Sequence, residues 1–176
     1  MSEKYFHCLR NLPELPANFV EQSLDISKYN IRMTPNLYEC KVIGWYNTDF
    51  FKNAETHFGQ KFGAGFYLNP PNSYYKWHTD VQRHCALNWL VKTNPKGGAF
   101  YKEPIPELAP PDRSPHFFNL LEVDYELYKP TLINTGESHC VINNYNDYRI
   151  IFSMTLADVT YKDALNYFTN LNISNY

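Results

Sequence analysis

The 176-residue chain lacks most of the features that would assign it to a function class at sight. No apolar run approaches the about 20 residues that a helix needs to cross a bilayer, so no helical membrane span is expected. The opening stretch MSEKYFHCLR carries no apolar h-region, so no signal peptide is read and a soluble, cytoplasmic protein is expected. A basic excess is missing: with a formal net charge of −2, nothing advertises nucleic acid as a partner. The four cysteines, Cys8, Cys40, Cys85 and Cys140, form no C-x-x-C pair and fit no zinc-finger spacing. They are read as reduced, mostly buried thiols. Internal repeats and low-complexity segments are also absent, and the length suits one domain, 1–176, around one core.

Aromatics, by contrast, are plentiful. Fifteen tyrosines and twelve phenylalanines favour a β-rich fold, because aromatic side chains pack well on pleated surfaces. The first forty residues are broken by Pro13, Pro16 and Pro35, with one short helix over Ala17–Leu24. A strand is expected over Glu39–Tyr46, then a helix opened by Asn47-Thr48-Asp49, running to about His57 and stopped by Gly59. Strands follow over Gly63–Leu68, Tyr74–Asp80, Cys85–Lys92 and Ala99–Lys102, separated by turn residues such as Asn69-Pro70-Pro71-Asn72-Ser73 and Asn94-Pro95-Lys96-Gly97-Gly98. Pro104 to Pro115 holds five prolines and reads as an irregular excursion, with Tyr74 and Tyr75 a candidate substrate rim. Strands over Pro130–Asn134, His139–Asn143 and Tyr148–Leu156 close the pattern, and Thr160 caps a last helix through about Asn170. Many short strands with frequent turns predict a mainly β, jelly-roll architecture with a few helices packed outside one sheet.

The chemistry sits in an ordered set within this β region. His78 and Asp80, two apart in an expected strand, project an imidazole and a carboxylate to one face. His139 supplies a second imidazole from a distant segment. Two histidines and one carboxylate suit non-haem Fe(II) and leave three coordination positions open. The plain alternative is a buried His–Asp pair with an unrelated histidine; the order and spacing of the set favour the metal reading. Arg149 follows His139 by ten residues, alone in an otherwise apolar strand, and a buried guanidinium needs a partner. If His139–Asn143 and Asp147–Ser153 paired as a hairpin, His139 and Arg149 would share a face about 7 Å apart, the reach of a C5 dicarboxylate. An arginine fork matches a carboxylate bidentately.

The motifs WHTD at Trp77–Asp80, GGAF at Gly97–Phe100 and HCVINNYNDYRIIF at His139–Phe152 carry a family resemblance. Residues 63–156 resemble the double-stranded β-helix oxygenases that use Fe(II) and 2-oxoglutarate. The last motif is similar to that of the aspartyl/asparaginyl β-hydroxylases, and the lead-in from Tyr67 to His78 and the Gly-Gly step are similar to prolyl 4-hydroxylases. The resemblance implies His78, Asp80 and His139 as metal ligands and Arg149 as the anchor of the 2-oxoglutarate co-substrate. It implies oxidation by O₂ with succinate and CO₂ as co-products. Asp80 favours hydroxylation over halogenation, since related halogenases replace that carboxylate with a small residue. By analogy with those hydroxylases the expected substrate is a protein side chain, with a free amino acid or other small metabolite equally open. Some subfamilies place Ser or Thr two residues after the arginine. Here Ile151 stands there and Ser153 two further on, so Asn88 and Tyr67 are the candidates for a second co-substrate contact.

Two other readings stay open: a cupin-like metal enzyme that needs no 2-oxoglutarate, and a non-catalytic jelly-roll binding module. Arg149 discriminates against the first, which has no use for a deep guanidinium at that spacing. Arg83 and His84 could either of them face the mouth of the site but are expected at exposed loop positions, and Asp124 and Glu126 are read as solvated.

Overall fold

The computed structural model describes residues 2–40, 48–92, 98–104 and 118–171. The short strand β1 (Phe6–Cys8) is followed by α1 (Ala17–Ser23), β2 (Ile31–Thr34), β3 (Leu37–Cys40) and α2 (Asp49–Phe58). Then come β4 (Gly63–Asn69), β5 (Ser73–His78), β6 (Cys85–Lys92), β7 (Gly98–Pro104), β8 (Phe118–Glu122), β9 (Pro130–Ile133), β10 (His139–Asn143), β11 (Arg149–Leu156) and α3 (Tyr161–Thr169). The expected strand at Glu39–Tyr46 begins earlier, at Leu37, and its part beyond Cys40 lies outside the described residues. So does most of the proline-rich excursion expected at Pro104–Pro115, and the turn at Asn94–Gly97. Among the described residues no helix is long and apolar enough to cross a membrane.

The strands form two antiparallel sheets. One runs β1-β9-β6-β11-β4-β3-β2 and the other β5-β10-β7-β8. From β4 onward, successive strands alternate between the sheets, with β7 and β8 the one consecutive pair that stays together. That alternation makes the sandwich a jelly roll, as the sequence pattern predicts. It also corrects one expectation. β10 and β11 do not form a hairpin: β10 pairs with β5 and β7, whereas β11 pairs with β4 and β6. The five residues between them cross from one sheet to the other. His139 and Arg149 therefore come from opposite walls of the sandwich, both buried.

Period-two alternation along β11 decides what each face of the larger sheet does. Ile150, Phe152, Met154 and Leu156 are fully buried among Phe50, Phe51 and Ala54 of α2 and Ala164 and Phe168 of α3. Arg149, Ile151, Ser153 and Thr155 turn the other way, into a cavity between the sheets. Helix α2 ends where Gly59 takes the left-handed conformation at φ +68°, which glycine adopts without strain. In α3, Thr160 Oγ1 accepts from Asp163 N at 3.1 Å, closing the N-terminus. A second, smaller core comprises Tyr5, Phe6, Ala86, Ala99, Tyr101, Val123 and Ile133, of which Ala99 and Ile133 also line the cavity.

Phe152 sits at the centre of the helix-side core, its ring 5.0 Å from that of Phe66 and 5.5 Å from that of Trp89. Truncation to alanine leaves a cavity that the two flanking strands cannot close. Phe152→Ala should cost about 3–5 kcal/mol in urea unfolding. Leu120→Ser, at a side chain that is 55% exposed, should change stability by no more than about 0.5 kcal/mol.

Candidate functional site

The minor sheet sets two histidines side by side. His78 is the last residue of β5 and His139 the first of β10, and the antiparallel register pairs them directly. Their ring centroids lie 4.2 Å apart. Each ring is held in the same way by the backbone two residues before it: His78 Nδ1 lies 2.8 Å from the Lys76 carbonyl and His139 Nδ1 2.9 Å from the Glu137 carbonyl. A carbonyl only accepts, so each Nδ1 carries the proton and each Nε2 is left with a free lone pair.

Asp80 completes the group, although not from a strand. β5 ends at His78, and Asp80 lies on the loop that crosses to β6. Its backbone N–H donates to the Thr135 carbonyl at 2.9 Å, which ties this loop to the turn preceding His139. The buried Thr135 hydroxyl donates in turn to the Arg83 carbonyl at 2.6 Å. Ligand atoms of His78, Asp80 and His139 all lie within 4.8 Å of one another. Two imidazole nitrogens and one carboxylate oxygen, presented from one side and backed by hydrogen bonds, fit a divalent transition metal with open positions.

Burial keeps His139 neutral. It is 4% exposed, and loss of hydration pushes its pKa from 6.5 down to about 4. The imidazole is thus uncharged over the neutral range, with Nδ1 protonated and Nε2 free to bind.

Both walls of the sandwich line one cavity of about 1000 Å³, which holds the triad and Arg149 together. Arg149 is 1% exposed. Its Nη1 donates to Asn69 Oδ1 at 3.3 Å, and its guanidinium carbon stands 5.4 Å from the centre of the Tyr125 ring. Nε and Nη2 have no partner among the described residues. Burial lowers the guanidinium's pKa, but an arginine remains protonated in a protein. A buried cation whose donors are left open is costly unless an anion meets it. The arrangement therefore fits the distal carboxylate of a dicarboxylate.

Of the two further candidates, Asn88 lines the cavity beside Arg149's strand: its register partner on β11 is Ser153. Asn88 Nδ2 donates to Tyr125 Oη at 3.1 Å while Oδ1 is buried without a partner. Turning the amide over would let Tyr125 donate to Oδ1 and point Nδ2 at an anion. Tyr67 also lines the cavity, opposite Ile151, with its hydroxyl 3.5 Å from Glu39 Oε1. Tyr75 is in the cavity beside His78, whereas Tyr74 is 45% exposed outside it.

Three cavity residues escape sequence reasoning. Asn69, read as part of a turn, is the last residue of β4 and the register partner of Arg149. Tyr125 lies outside any strand between two charged residues, where no periodicity marks it. Arg83 is not an exposed loop residue: its Nε donates to Asp80 Oδ2 at 2.7 Å, and its Nη1 lies 3.4 Å from Thr155 Oγ1. The i+3 spacing from Asp80 is the one signal that marks this pair. Asp124 is exposed as expected, while Glu126 is engaged by Arg10.

The sequence matches no family model and no curated protein. Solved structures do share the fold. An oxidoreductase of the 2OG-Fe(II) oxygenase family from Burkholderia pseudomallei is similar over 80% of this chain and 78% of its own, at 11% identity and a TM-score of 0.50. A prolyl-4-hydroxylase from Pseudomonas putida is similar over 86% and 90%, at 13% identity and a TM-score of 0.53. At such identities the likeness concerns the jelly roll alone.

The His139 environment predicts a pH dependence for the metal-free chain. Its folded pKa lies below its unfolded one, so the unfolded state takes up a proton that the folded state refuses. Stability from this residue is present above pH 6.5 and drains as pH falls towards 4. Denaturation midpoints measured across that window should fall more steeply for wild type than for His139→Gln. Parallel curves would refute it.

Proposed function

We propose that this chain is an Fe(II)- and 2-oxoglutarate-dependent dioxygenase that hydroxylates a protein side chain or a small amino-acid-like molecule, releasing succinate and CO₂. The observation that carries the reading is a buried arginine with two unpartnered nitrogens in the same cavity as a His-Asp-His cluster. The sequence motifs similar to those of the aspartyl/asparaginyl β-hydroxylases support it, as does the fold shared with a 2OG-Fe(II) oxygenase family oxidoreductase and a prolyl-4-hydroxylase. We read residues 1–176 as one oxygenase domain, with 63–156 its motif-bearing core.

In this reading His78 Nε2, His139 Nε2 and one Asp80 oxygen hold Fe(II), and Arg149 holds the far carboxylate of 2-oxoglutarate. Bound together, the metal and co-substrate supply activation of O₂ and the oxidising power to replace a substrate C–H by C–OH. The chain's own part is placement. Backbone carbonyls of Lys76 and Glu137 keep each ring's lone pair on the metal side. Arg149 pairs with the incoming carboxylate through Nε and Nη2 while Asn69 steadies Nη1. Asn88 and Tyr67 add polar contacts to the same ligand. Ala99, Ile133, Val141 and Ile151 add apolar surface to a lining that is otherwise largely polar.

A cupin-like enzyme without 2-oxoglutarate would have no anion for Arg149. Turnover separates the two readings. Purified protein with Fe(II), O₂ and 2-oxoglutarate should release succinate slowly even without its primary substrate. His78→Ala and Asp80→Ala should abolish that release. Arg149→Ala should raise the 2-oxoglutarate concentration needed by roughly 30-fold or more, the scale of a lost buried charge pair. Succinate release that is indifferent to Arg149→Ala would remove the co-substrate assignment.

A further inference from the structure

Resting on that metal reading, we infer that Arg83 is a positioning residue that makes Asp80 a one-oxygen ligand. Asp80 is the least constrained member of the triad, because it stands on a loop two residues past the end of β5. The loop backbone is fixed at three points: Asp80 N to the Thr135 carbonyl, Thr135 Oγ1 to the Arg83 carbonyl, and Gly136 N to the His84 carbonyl at 3.2 Å. None of these restrains how the carboxylate turns. Arg83 does. Its Nε and Nη2 both meet the same oxygen, Oδ2, at 2.7 and 2.6 Å. The other oxygen, Oδ1, lies 3.6 Å from His78 Nε2, on the side where the ligand atoms converge. The third guanidinium nitrogen reaches Thr155 Oγ1 on β11, so the plane of the fork is set by the opposite sheet.

A carboxylate free to turn can offer a metal both oxygens and so occupy an extra coordination position. With Oδ2 engaged by two N–H donors, one oxygen remains. Two imidazoles and one oxygen then leave three open positions, the number that a chelating co-substrate and O₂ require together. A cation beside the site also repels a divalent ion. That repulsion is weakened because the guanidinium is already paired with Asp80 and its side chain is 27% exposed. Orientation should therefore outweigh repulsion, and the net effect of Arg83 should be tighter metal binding.

The test uses the full chain, metal-free, titrated with Ni(II) against a chromophoric chelator, with neither 2-oxoglutarate nor turnover involved. Arg83→Gln should weaken Ni(II) binding by about 10–100-fold, the usual scale for partners that orient a ligand. Arg83→Lys should recover part of the loss by supplying one donor to Oδ2. In an Asp80→Ala background, where two imidazoles still hold Ni(II) weakly and the guanidinium has lost its carboxylate, adding Arg83→Gln should cause no further loss and only relieve repulsion. Unchanged or tighter binding in Arg83→Gln would overturn the inference. So would an equal loss in the Asp80→Ala background, which would assign Arg83 to general loop order. If wild type itself binds no Ni(II), the metal reading fails and takes this one with it, whereas wild-type binding with Arg83→Gln unaffected removes the Arg83 role alone.

Discussion

A full positive charge enclosed between two sheets, with no carboxylate beside it, is the constraint around which this structure has to be understood. Arg149 is 1% exposed, and among the described residues the Asn69 amide oxygen and Tyr125 stand beside its guanidinium. A fold meets such a cost only where the charge is needed. Its surroundings are arranged to make the charge usable. Every second residue of β11 opens into the cavity while the intervening ones anchor the strand in the helix-side core. The helices contribute nothing to the cavity directly, yet they fix the strand that carries the guanidinium.

At the other end of the cavity the same economy of construction holds the triad. Antiparallel pairing of β5 with β10 juxtaposes two histidines, and each ring is locked by the backbone carbonyl two residues before it. The third member, Asp80, comes from the crossing between β5 and β6, and it is held by Thr135 through the backbone and by Arg83 through the carboxylate. Sheet crossings thus build both halves of the site: one brings Asp80 beside the histidines, and another, after β10, sends Arg149 to the opposite wall. The proposed dioxygenase chemistry asks for this geometry, a metal group and an anion anchor facing one cavity.

Much of this was legible in the sequence, and the part that was not has a physical reason. β6 is bounded as its apolar run and flanking turn residues predict, and α2 and α3 start and stop where Thr48, Gly59 and Thr160 place them. His78, Asp80, His139 and Arg149 were singled out by order and spacing, and the structure brings all four to one cavity. Strand partnership was misread. Alternation reveals which residues share a face, but a short polar connection looks the same whether the chain returns to its own sheet or crosses to the other. Hence the hairpin expected around Asn144–Asn146 is a crossing. Tyr125 lies outside periodic elements, so its place depends on long-range packing that no local pattern encodes, whereas Arg83 is marked only by its i+3 spacing from Asp80.

The central claim is that the metal group and Arg149 serve one bound molecule. An anaerobic titration followed by visible absorption addresses it directly: Fe(II) is added to metal-free protein, then 2-oxoglutarate. A weak charge-transfer band should appear only when both are present, vanish in His78→Ala, and require far more 2-oxoglutarate in Arg149→Ala. Fe(II) bound tightly with no band at any 2-oxoglutarate concentration would contradict the account and leave a metal-binding jelly roll of another kind.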